Sequence, residues 1–535
     1  MLETISLQSW GGGIPVEYSN PLTMAFVVFF FLLMIGIGVY ASRFQSNEVD
    51  YFVAGRRAGL AVIALSAFAG LNSGWGIVGN AGVIFAAGFE FLVFVAFIPF
   101  FFVLSFWLLA RKMRMLAYTK DVVTAPDAIY YRFEDERLRV LGAIAVFLGS
   151  IGYLAPQYAA LGIIGAVVFP VGFYEALIIG LVVVGFYTVI GGMLAAIWSD
   201  AVQGAMMALG GVLSAFYMIT QYPGGINEMM STISGEMPEY FAFASLGMEG
   251  GAFQIGFIIS FLIVFMTFAG QPHFITKFFM TRDMKALKWS PFIAAGAYLL
   301  AILLLIPAPF ARAAVLQGQF ESGMSPDAAL PLALIEFAPP IVTAFILTAI
   351  LAAIMSTSNA FLNIGAAAIT HDILQENRGK ELSNEQQVKY ARIVTVIILI
   401  GAFLLSATFP DLIFVIGAAG WAIYASVFFP CVAIAYNWKG ATAEGALWGG
   451  SIGLGLTLVL AYGSAYTGLE IPMGFLGGQV ATVIGVLVFI VVSYITSTRD
   501  YYDSDKDIKR VLDTGRLDDE GKSPVATDGG EQENK

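Results

Sequence analysis

The chain has 535 residues, of which 58% are hydrophobic and only 12% are charged. The charged share is about half of that typical of soluble domains, and the formal net charge of −11 argues against nucleic acid as a partner, since phosphates need a basic surface. A single cysteine, Cys431, rules out an intrachain disulfide, and with only two histidines an ordinary zinc site is not expected.

The first 21 residues are predicted to be an extracellular N-terminus. They contain Glu3 and Glu17 and no Lys or Arg, which is unlike a secretory signal peptide. Residues 22–498 then alternate long apolar stretches with short polar loops, and about 20 apolar residues suffice to span a membrane. This pattern predicts an all-α membrane protein of about thirteen transmembrane helices. The candidate spans run over roughly 22–41, 60–87, 89–110, 140–167, 173–190, 194–220, 251–274, 289–311, 338–370, 391–409, 411–434, 442–463 and 473–496.

Basic residues predict the orientation of these spans. If the first span runs inward, every Lys and Arg except Arg312 falls in or next to a cytoplasmic loop or the C-terminal tail. One such loop is 275–288, while loops on the other side carry acids such as Glu321. This is the positive-inside pattern. We therefore expect a multi-pass plasma-membrane protein with its N-terminus outside and its C-terminus in the cytoplasm.

Two spans are predicted to break in mid-membrane. The centre of the second span, residues 69–76, is rich in residues that disfavour a continuous helix, and the seventh span carries Pro272. Irregular backbone at this depth survives only beside protein or a water-filled cavity, and paired breaks indicate a transporter binding site. The breaks lie five spans apart, which places the two helices in opposite directions, as in an inverted repeat. The alternative is that these residues are packing kinks. The second break is marked by Gly270, Gln271, Pro272 and His273, of which His273 is expected to hold the break by hydrogen bonds.

The ninth span offers oxygen ligands for a cation. Ala353, Ser356 and Thr357 share one helical face, and each hydroxyl has lone pairs to offer. Carbonyl groups freed by the break near Ala69 and Asn72 would complete a cage of neutral oxygens, which suits reversible binding of Na⁺. The alternative is that both hydroxyls bond to carbonyls of their own helix.

Several segments resemble the sodium:solute symporter family. They are residues 51–79, 191–203, 270–273 and 351–373, which follow in the family's order. The resemblance implies a LeuT-like fold with a 5+5 inverted repeat, one helix before the repeats and two after. The first repeat would cover about 60–220 and the second about 251–434. It also implies a sodium site at the residues already singled out: Ala69, Asn72, Ala353, Ser356 and Thr357.

The remaining candidate residues lie outside this sodium site. Asp200 is predicted to lie within a membrane helix, where acids are functional candidates, and could form a second ion site or an exit path with Asn359. His371 and Asp372 are expected to be solvated at the end of the ninth span. The tail 499–535 is polar and predicted to be disordered and cytoplasmic. By analogy with the family, the substrate pocket is predicted to include Trp75, Gln157, Phe268 and Trp421.

The sequence thus predicts a transporter that imports a small solute with Na⁺ by alternating access. The resemblance disfavours a sugar, and the partial positive charge at the starts of the broken helices favours an organic acid or an amino acid. Proline remains possible but not favoured, because Phe268 keeps only one member of the aromatic pair found in proline-transporting members, and Val264 takes the other position. The alternatives are proton coupling through Asp200 or His273, a channel or solute sensor, and a membrane enzyme. The lack of clustered His, Cys or paired acids in the spans argues against an enzyme.

Overall fold

The computed structural model describes residues 20–41, 59–120, 122–241, 255–281, 284–409, 412–467, 469, 471–496 and 505–514. Within these ranges the regular structure is helical, which confirms the prediction of an all-α protein. The physical reason is that a helix satisfies its own backbone hydrogen bonds where no water is available to do so.

The first half of the molecule consists of long helices joined by short connections. A π-helical turn, Trp75–Gly79, separates α2 from α3. The helices are α1 (Pro21–Ala41), α2 (Leu60–Leu71), α3 (Asn80–Ala87), α4 (Glu90–Ala96), α5 (Ile98–Lys120), α6 (Ala125–Phe133), α7 (Glu136–Val168), α8 (Phe173–Gln221) and α9 (Gly225–Glu236).

The second half continues in the same manner. A short 3-10 turn, Thr267–Gly270, separates α10 from α11, and the π-helical segment Ala368–Asn377 extends α15. The helices are α10 (Ile255–Met266), α11 (Pro272–Met280), α12 (Met284–Ala301), α13 (Pro307–Leu316), α14 (Ala329–Phe337), α15 (Pro340–Ala367), α16 (Asn384–Thr408), α17 (Ile413–Phe428), α18 (Ala443–Thr457), α19 (Ser464–Thr467), α20 (Gly477–Ile495) and α21 (Lys506–Asp513).

The number of membrane spans differs from the prediction. The described residues contain 11 helical segments long and apolar enough to cross a membrane, or up to 12 when the bent pair Leu60–Leu71 and Trp75–Ala87 is counted as one span. The count of thirteen is therefore not confirmed. Sequence reasoning divided the fifth and sixth spans near residues 191–193, whereas α8 runs through this region as one helix. A pair of glycines weakens a helix without necessarily ending it.

Two helices form the centre of the molecule. In α15 nearly every residue from Thr343 onward is buried, and α17 is buried on almost all sides. A helix that is apolar all round is expected in such an interior position. α15 packs against α7 and α8, and α17 packs against α7 and α20. Both central helices also contact the interrupted spans, so the interruptions face protein rather than the membrane surface.

A short helix lies within the tail that was predicted to be disordered. α21 buries Ile508, Val511 and Leu512 against the end of α5. Its apolar residues recur at helical spacing, which gives it one face to pack and explains the departure from the prediction. Lys120 also pairs with Asp505 at 2.7 Å. The remainder of the predicted tail lies outside the described residues.

Candidate functional site

The second membrane span is interrupted at its centre. α2 ends directly before Asn72, which is extended with φ −103° and ψ 129°. Helical structure resumes at Trp75, and the two parts of the span are bent by 52°. The backbone N–H of Gly74 donates a 2.6 Å hydrogen bond to Oε1 of Gln157. A buried side chain of α7 therefore satisfies a backbone donor that the interruption exposes.

The span formed by α10 and α11 is interrupted as well. After the turn Thr267–Gly270, Gln271 is extended with φ −96° and ψ 117°, and Pro272 is the first residue of α11. Proline suits this position because the first N–H of a helix has no partner within the helix. A Cβ atom on Gly270 would lie 2.7 Å from the backbone nitrogen of Phe429. Glycine thus permits a close approach between this interruption and the segment that follows α17.

The structure corrects the expectation for His273. The side chain is buried, but neither ring nitrogen has a hydrogen-bond partner among the described residues. Its ring instead packs against aromatic neighbours, with centroids 4.6 Å from Phe361 and 4.0 Å from Phe274. Packing rather than hydrogen bonding therefore holds His273 beside the break.

The residues predicted to bind sodium lie on two facing elements. Thr357 Oγ1 in α15 donates to the carbonyl oxygen of Asn72 at 3.0 Å. The carbonyl of Ala69 accepts the backbone N–H of Asn72 at 3.2 Å. Ala353 is buried one turn before the hydroxyl pair on the same helix. Neutral carbonyl and hydroxyl oxygens therefore meet at an unwound helix, which is the type of environment that holds Na⁺ in transporters of this kind.

Ser356 points to a different partner. Its hydroxyl donates to Oδ1 of Asp200, and Oδ2 of the same carboxylate accepts the hydroxyl of Ser66 at 2.7 Å. Asp200 is buried in α8, as the sequence predicted for a membrane helix. Asn359 was expected beside it, but its side-chain oxygen accepts a 2.8 Å bond from Asn363 Nδ2, and no hydrogen bond joins it to Asp200 among the described residues.

Sequence reasoning missed Lys277. The prediction assigned it to the cytoplasmic loop 275–288, whereas the structure places it in α11 with its side chain buried. Its Nζ donates to the carbonyl of Ser66 and lies 3.9 Å from Oδ2 of Asp200. The prediction is wrong because a buried lysine is tolerated within a membrane span when a carboxylate faces it. A lysine five residues after a break-inducing proline could have suggested an intramembrane position, but no local signal points to its partner.

The aromatic residues predicted to bind the solute lie together. The ring of Trp421 is 5.6 Å from Trp75 and 4.8 Å from Phe268, measured between centroids. The indole N–H of Trp75 donates to the carbonyl oxygen of Phe414, and the indole N–H of Trp421 donates to the hydroxyl of Thr267, both at 2.9 Å. Their ring faces, rather than their N–H groups, are therefore available for contact.

These three rings line a narrow cavity of about 20 Å³ at the interruptions. Gly70, Gly76 and Asn80 supply its polar edge from the second span, and other apolar and aromatic side chains complete the wall. Among the described residues that line it there is no Asp, Glu, Lys or Arg. Gln157 is not part of this wall but supports the break through Gly74. The lining of the cavity therefore suits the apolar surface of a small solute.

A polar cluster closes the end of the ninth span. His371 and Asp372, expected to be solvated, are both buried. His371 Nε2 lies 3.2 Å from Asp127 Oδ2, and Thr124 Oγ1 donates to Asp372 Oδ1 at 2.7 Å. Thr124 and Asp127 also form the capping box of α6. The two side chains are buried because α6 covers the end of the ninth span and excludes solvent from it.

Two interrupted helices, with neutral oxygens and an aromatic-lined cavity beside them, are the features of a membrane transporter of the LeuT-like fold. The chain belongs to the sodium:solute symporter family, whose sequence profile matches residues 51–453. Among relatives, the chain is 30% identical to the sodium/proline symporter of Escherichia coli (strain K12), over 88% of this chain and 93% of that one. It is 29% identical to the osmoregulated proline transporter OpuE of Bacillus subtilis (strain 168), over 85% and 92%.

A solved structure shows the same fold. The substrate-bound, outward-open state of a Na⁺-coupled sialic acid symporter superposes with a TM-score of 0.72 and 21% identity. The match covers 89% of this chain and 98% of that one. Together with the family match, this confirms that the protein is a membrane symporter that imports a small solute together with Na⁺. The relatives are transporters, in line with the expectation that the chain is not an enzyme.

Proposed function

We propose that the solute is a small amino acid and that L-proline is the first candidate. The proline transporters of Escherichia coli and Bacillus subtilis resemble this chain over most of its length. The lining adds a physical argument, because the faces of Trp75, Phe268 and Trp421 suit contact with the apolar ring of proline. Val264 also lines the cavity and enlarges it where an aromatic residue would fill it.

The interrupted backbone supports a solute with a carboxylate. Helix starts carry partial positive charge, and one helix begins at each interruption, at Trp75 and at Pro272. Because no charged side chain lines the cavity among the described residues, a zwitterion suits it better than an ion with net charge. A small organic acid, the other solute class that the sequence predicts, carries such a net charge. Its accumulation is the second outcome of the uptake test described below.

Sodium is proposed to bind at the oxygens of Ala69, Asn72, Ala353, Ser356 and Thr357. The observation that carries this proposal is the 3.0 Å contact between Thr357 Oγ1 and the Asn72 carbonyl. A cation placed between these oxygens would tie the broken second span to α15. It would also fix the backbone beside the cavity, so that sodium and solute each increase the affinity for the other. The two repeats would then rock about this site to expose it alternately to either side.

Uptake into liposomes tests the solute and the coupling ion together. Purified protein is reconstituted, and labelled L-proline is supplied with an inward gradient of Na⁺, of choline, or of protons without sodium. We expect accumulation only with sodium, and inhibition by unlabelled proline but not by lactate or pyruvate. Accumulation of a labelled organic acid instead would replace the proposed solute. Uptake driven by the pH gradient alone would favour proton coupling.

We further propose that the protein lies in the plasma membrane with its N-terminus outside and its C-terminus in the cytoplasm. The single native cysteine, Cys431, is buried, which provides a silent background for labelling. Glu321 and Glu381 are exposed in loops predicted to lie on opposite sides. An impermeant maleimide added to intact cells should label Glu321→Cys and leave Glu381→Cys unlabelled until the cells are lysed. The reverse pattern would invert the topology.

A further inference from the structure

A buried ammonium group lies beside the proposed sodium site. The side chain of Lys277 is only 5% exposed, donates to the carbonyl of Ser66 and lies 3.9 Å from Oδ2 of Asp200. A Cβ atom on Gly70 would come within 2.8 Å of Nζ, so glycine leaves the room that the ammonium occupies. α11, which carries Lys277, is thereby connected to α2 and α8 at the depth of the break.

The same carboxylate is connected to the proposed sodium site through Ser356. The Ser356 hydroxyl donates its hydrogen to Oδ1 of Asp200, while Lys277 faces Oδ2. A hydroxyl has one hydrogen and two lone pairs, so Ser356 can keep this bond while a lone pair binds a cation. Sodium at Ser356 and the ammonium of Lys277 would therefore both stabilise the negative charge of Asp200, one from each oxygen.

Sodium and the ammonium group of Lys277 differ in how long they remain beside Asp200. Sodium leaves the protein in every transport cycle, whereas Lys277 is covalently attached. A carboxylate buried within a membrane protein without a cation carries a large energetic penalty. When sodium has left, Lys277 still compensates Asp200, so the empty protein can change its direction of access without moving an uncompensated negative charge.

We propose that Lys277 is the resident counter-cation of Asp200 and that it permits the return of the empty carrier. This inference rests on the proposed function, because it requires that sodium bind at Ser356 and depart with the solute. Lys277 is thus a positioning residue for the transport cycle. It acts through Asp200 and Ser66 and is not itself among the residues that line the solute cavity.

Two transport measurements on one variant separate this role from a structural one. Net uptake of labelled L-proline with an inward sodium gradient requires the empty carrier to return. Counterflow, with sodium and unlabelled proline also inside the liposomes, bypasses that step. In Lys277→Met we expect net uptake to fall about tenfold or more, as for coupling free energies of ordinary size. Counterflow should stay within about twofold of the wild-type rate, because the loaded carrier keeps sodium beside Asp200.

Further variants examine whether charge is the cause. Lys277→Arg should keep net uptake, since the positive charge remains. Asp200→Asn leaves the ammonium without its carboxylate in both the empty and the loaded carrier, so net uptake and counterflow should both fall. The double variant Asp200→Asn/Lys277→Met removes both charges and should recover net uptake relative to either single variant. Lys288→Met is the matched control, because Lys288 is exposed on the neighbouring helix α12, and both activities should be unchanged.

The outcomes distinguish this inference from the proposed function. Equal losses of net uptake and counterflow in Lys277→Met would overturn it, as would unchanged net uptake. If Lys277→Met does not fold, the double variant provides the test. Net uptake by the double variant that is no faster than net uptake by Asp200→Asn would overturn the inference. Wild-type protein that shows neither net uptake nor counterflow of proline with sodium would instead contradict the proposed function.

Discussion

Thr357 Oγ1 lies 3.0 Å from the carbonyl oxygen of Asn72 and donates its hydrogen to it. The two residues are 285 positions apart in the sequence, on α15 and at the break in the second span. A single hydroxyl therefore connects a continuous central helix to an interrupted one. Ser358, the next residue along, bonds instead to the Ile354 carbonyl of its own helix at 2.7 Å.

This contrast provides the first prediction. Thr357→Ala removes the hydroxyl that faces the Asn72 carbonyl and should raise the sodium concentration needed for half-maximal uptake about tenfold or more. That factor corresponds to the loss of one interaction of about 1.4 kcal/mol. Initial rates of proline uptake measured over a range of sodium concentrations provide the test.

Ser358→Ala is the matched control, since it removes a hydroxyl of the same kind from the adjacent position, where only an intrahelical bond is lost. We expect its sodium dependence to equal that of the wild type. If the two variants had the same sodium dependence, Thr357 would not belong to the ion site.

The second prediction concerns the space around Gly74. A Cβ atom at this position would lie 2.8 Å from Ala160 Cβ and 3.0 Å from both Gln157 Oε1 and Ile354 Cγ1. The neighbouring atoms belong to packed helices, so relief requires a shift of the break itself, with a cost of about 1–3 kcal/mol. We expect Gly74→Ala to lower the melting temperature and to remove most uptake.

Gly36→Ala is the corresponding control, because no atom from other helices among the described residues lies within 4 Å of the added Cβ. Gly36 lies in the continuous helix α1, where alanine is at least as favourable as glycine. Wild-type uptake is expected for this variant. Full activity of Gly74→Ala would show that the break does not need the close approach seen in the structure.

The features that could be predicted from sequence are those with a local cause. The interruption near Asn72 follows from a run of glycine, asparagine and serine, and the one at Pro272 follows from proline chemistry. The pairing of Thr357 with the first break was expected from helical spacing and from the need for oxygen ligands. The two interruptions are predicted from residues within a few positions of one another, whereas Thr357 and Asn72 are 285 positions apart and their pairing also rests on the resemblance to the family.

The features that were missed depend on which helices become neighbours. Lys277 was assigned to a loop because a charge in a membrane helix is expensive unless it has a partner, and Asp200 lies on a distant segment of the chain. His371 was expected to be solvated because its cover, α6, comes from residues 125–133. Sequence spacing alone does not reveal such long-range contacts.

The third prediction is a pH dependence at the cluster around Asp127. Burial alone would raise the pKa of this carboxyl, but the charge and hydrogen bond of His371, together with Arg139, hold the pKa below its ordinary value of 3.8. A carboxyl with a lowered pKa in the folded state stabilises the protein at a pH above its unfolded value, and this contribution is lost as pH falls through the folded value. We expect the melting temperature of the wild type to decrease steeply below a pH of about 3.8.

Asp127→Asn removes the titrating group and provides the comparison. The variant should be less stable than the wild type at neutral pH, since His371 and Arg139 lose their anionic partner. The difference between the two melting temperatures should shrink as the pH decreases below about 4. A difference that stays constant across this range would show that ionised Asp127 does not stabilise the fold.

The fourth prediction concerns the docking of α21. The Val511 side chain is fully buried against the membrane domain, and Asp513 pairs with Lys439 at 2.8 Å. Burying a valine side chain contributes about 1.5 kcal/mol or more, which corresponds to at least a tenfold shift in the equilibrium between docked and released helix. Val511→Ser should therefore speed tryptic cleavage after Lys509 and Arg510 about tenfold, as measured by mass spectrometry of the released peptides.

Lys506→Ser changes an exposed residue of the same helix and should leave this rate unchanged. Equal cleavage rates in the two variants would mean that burial of Val511 does not hold α21 in place.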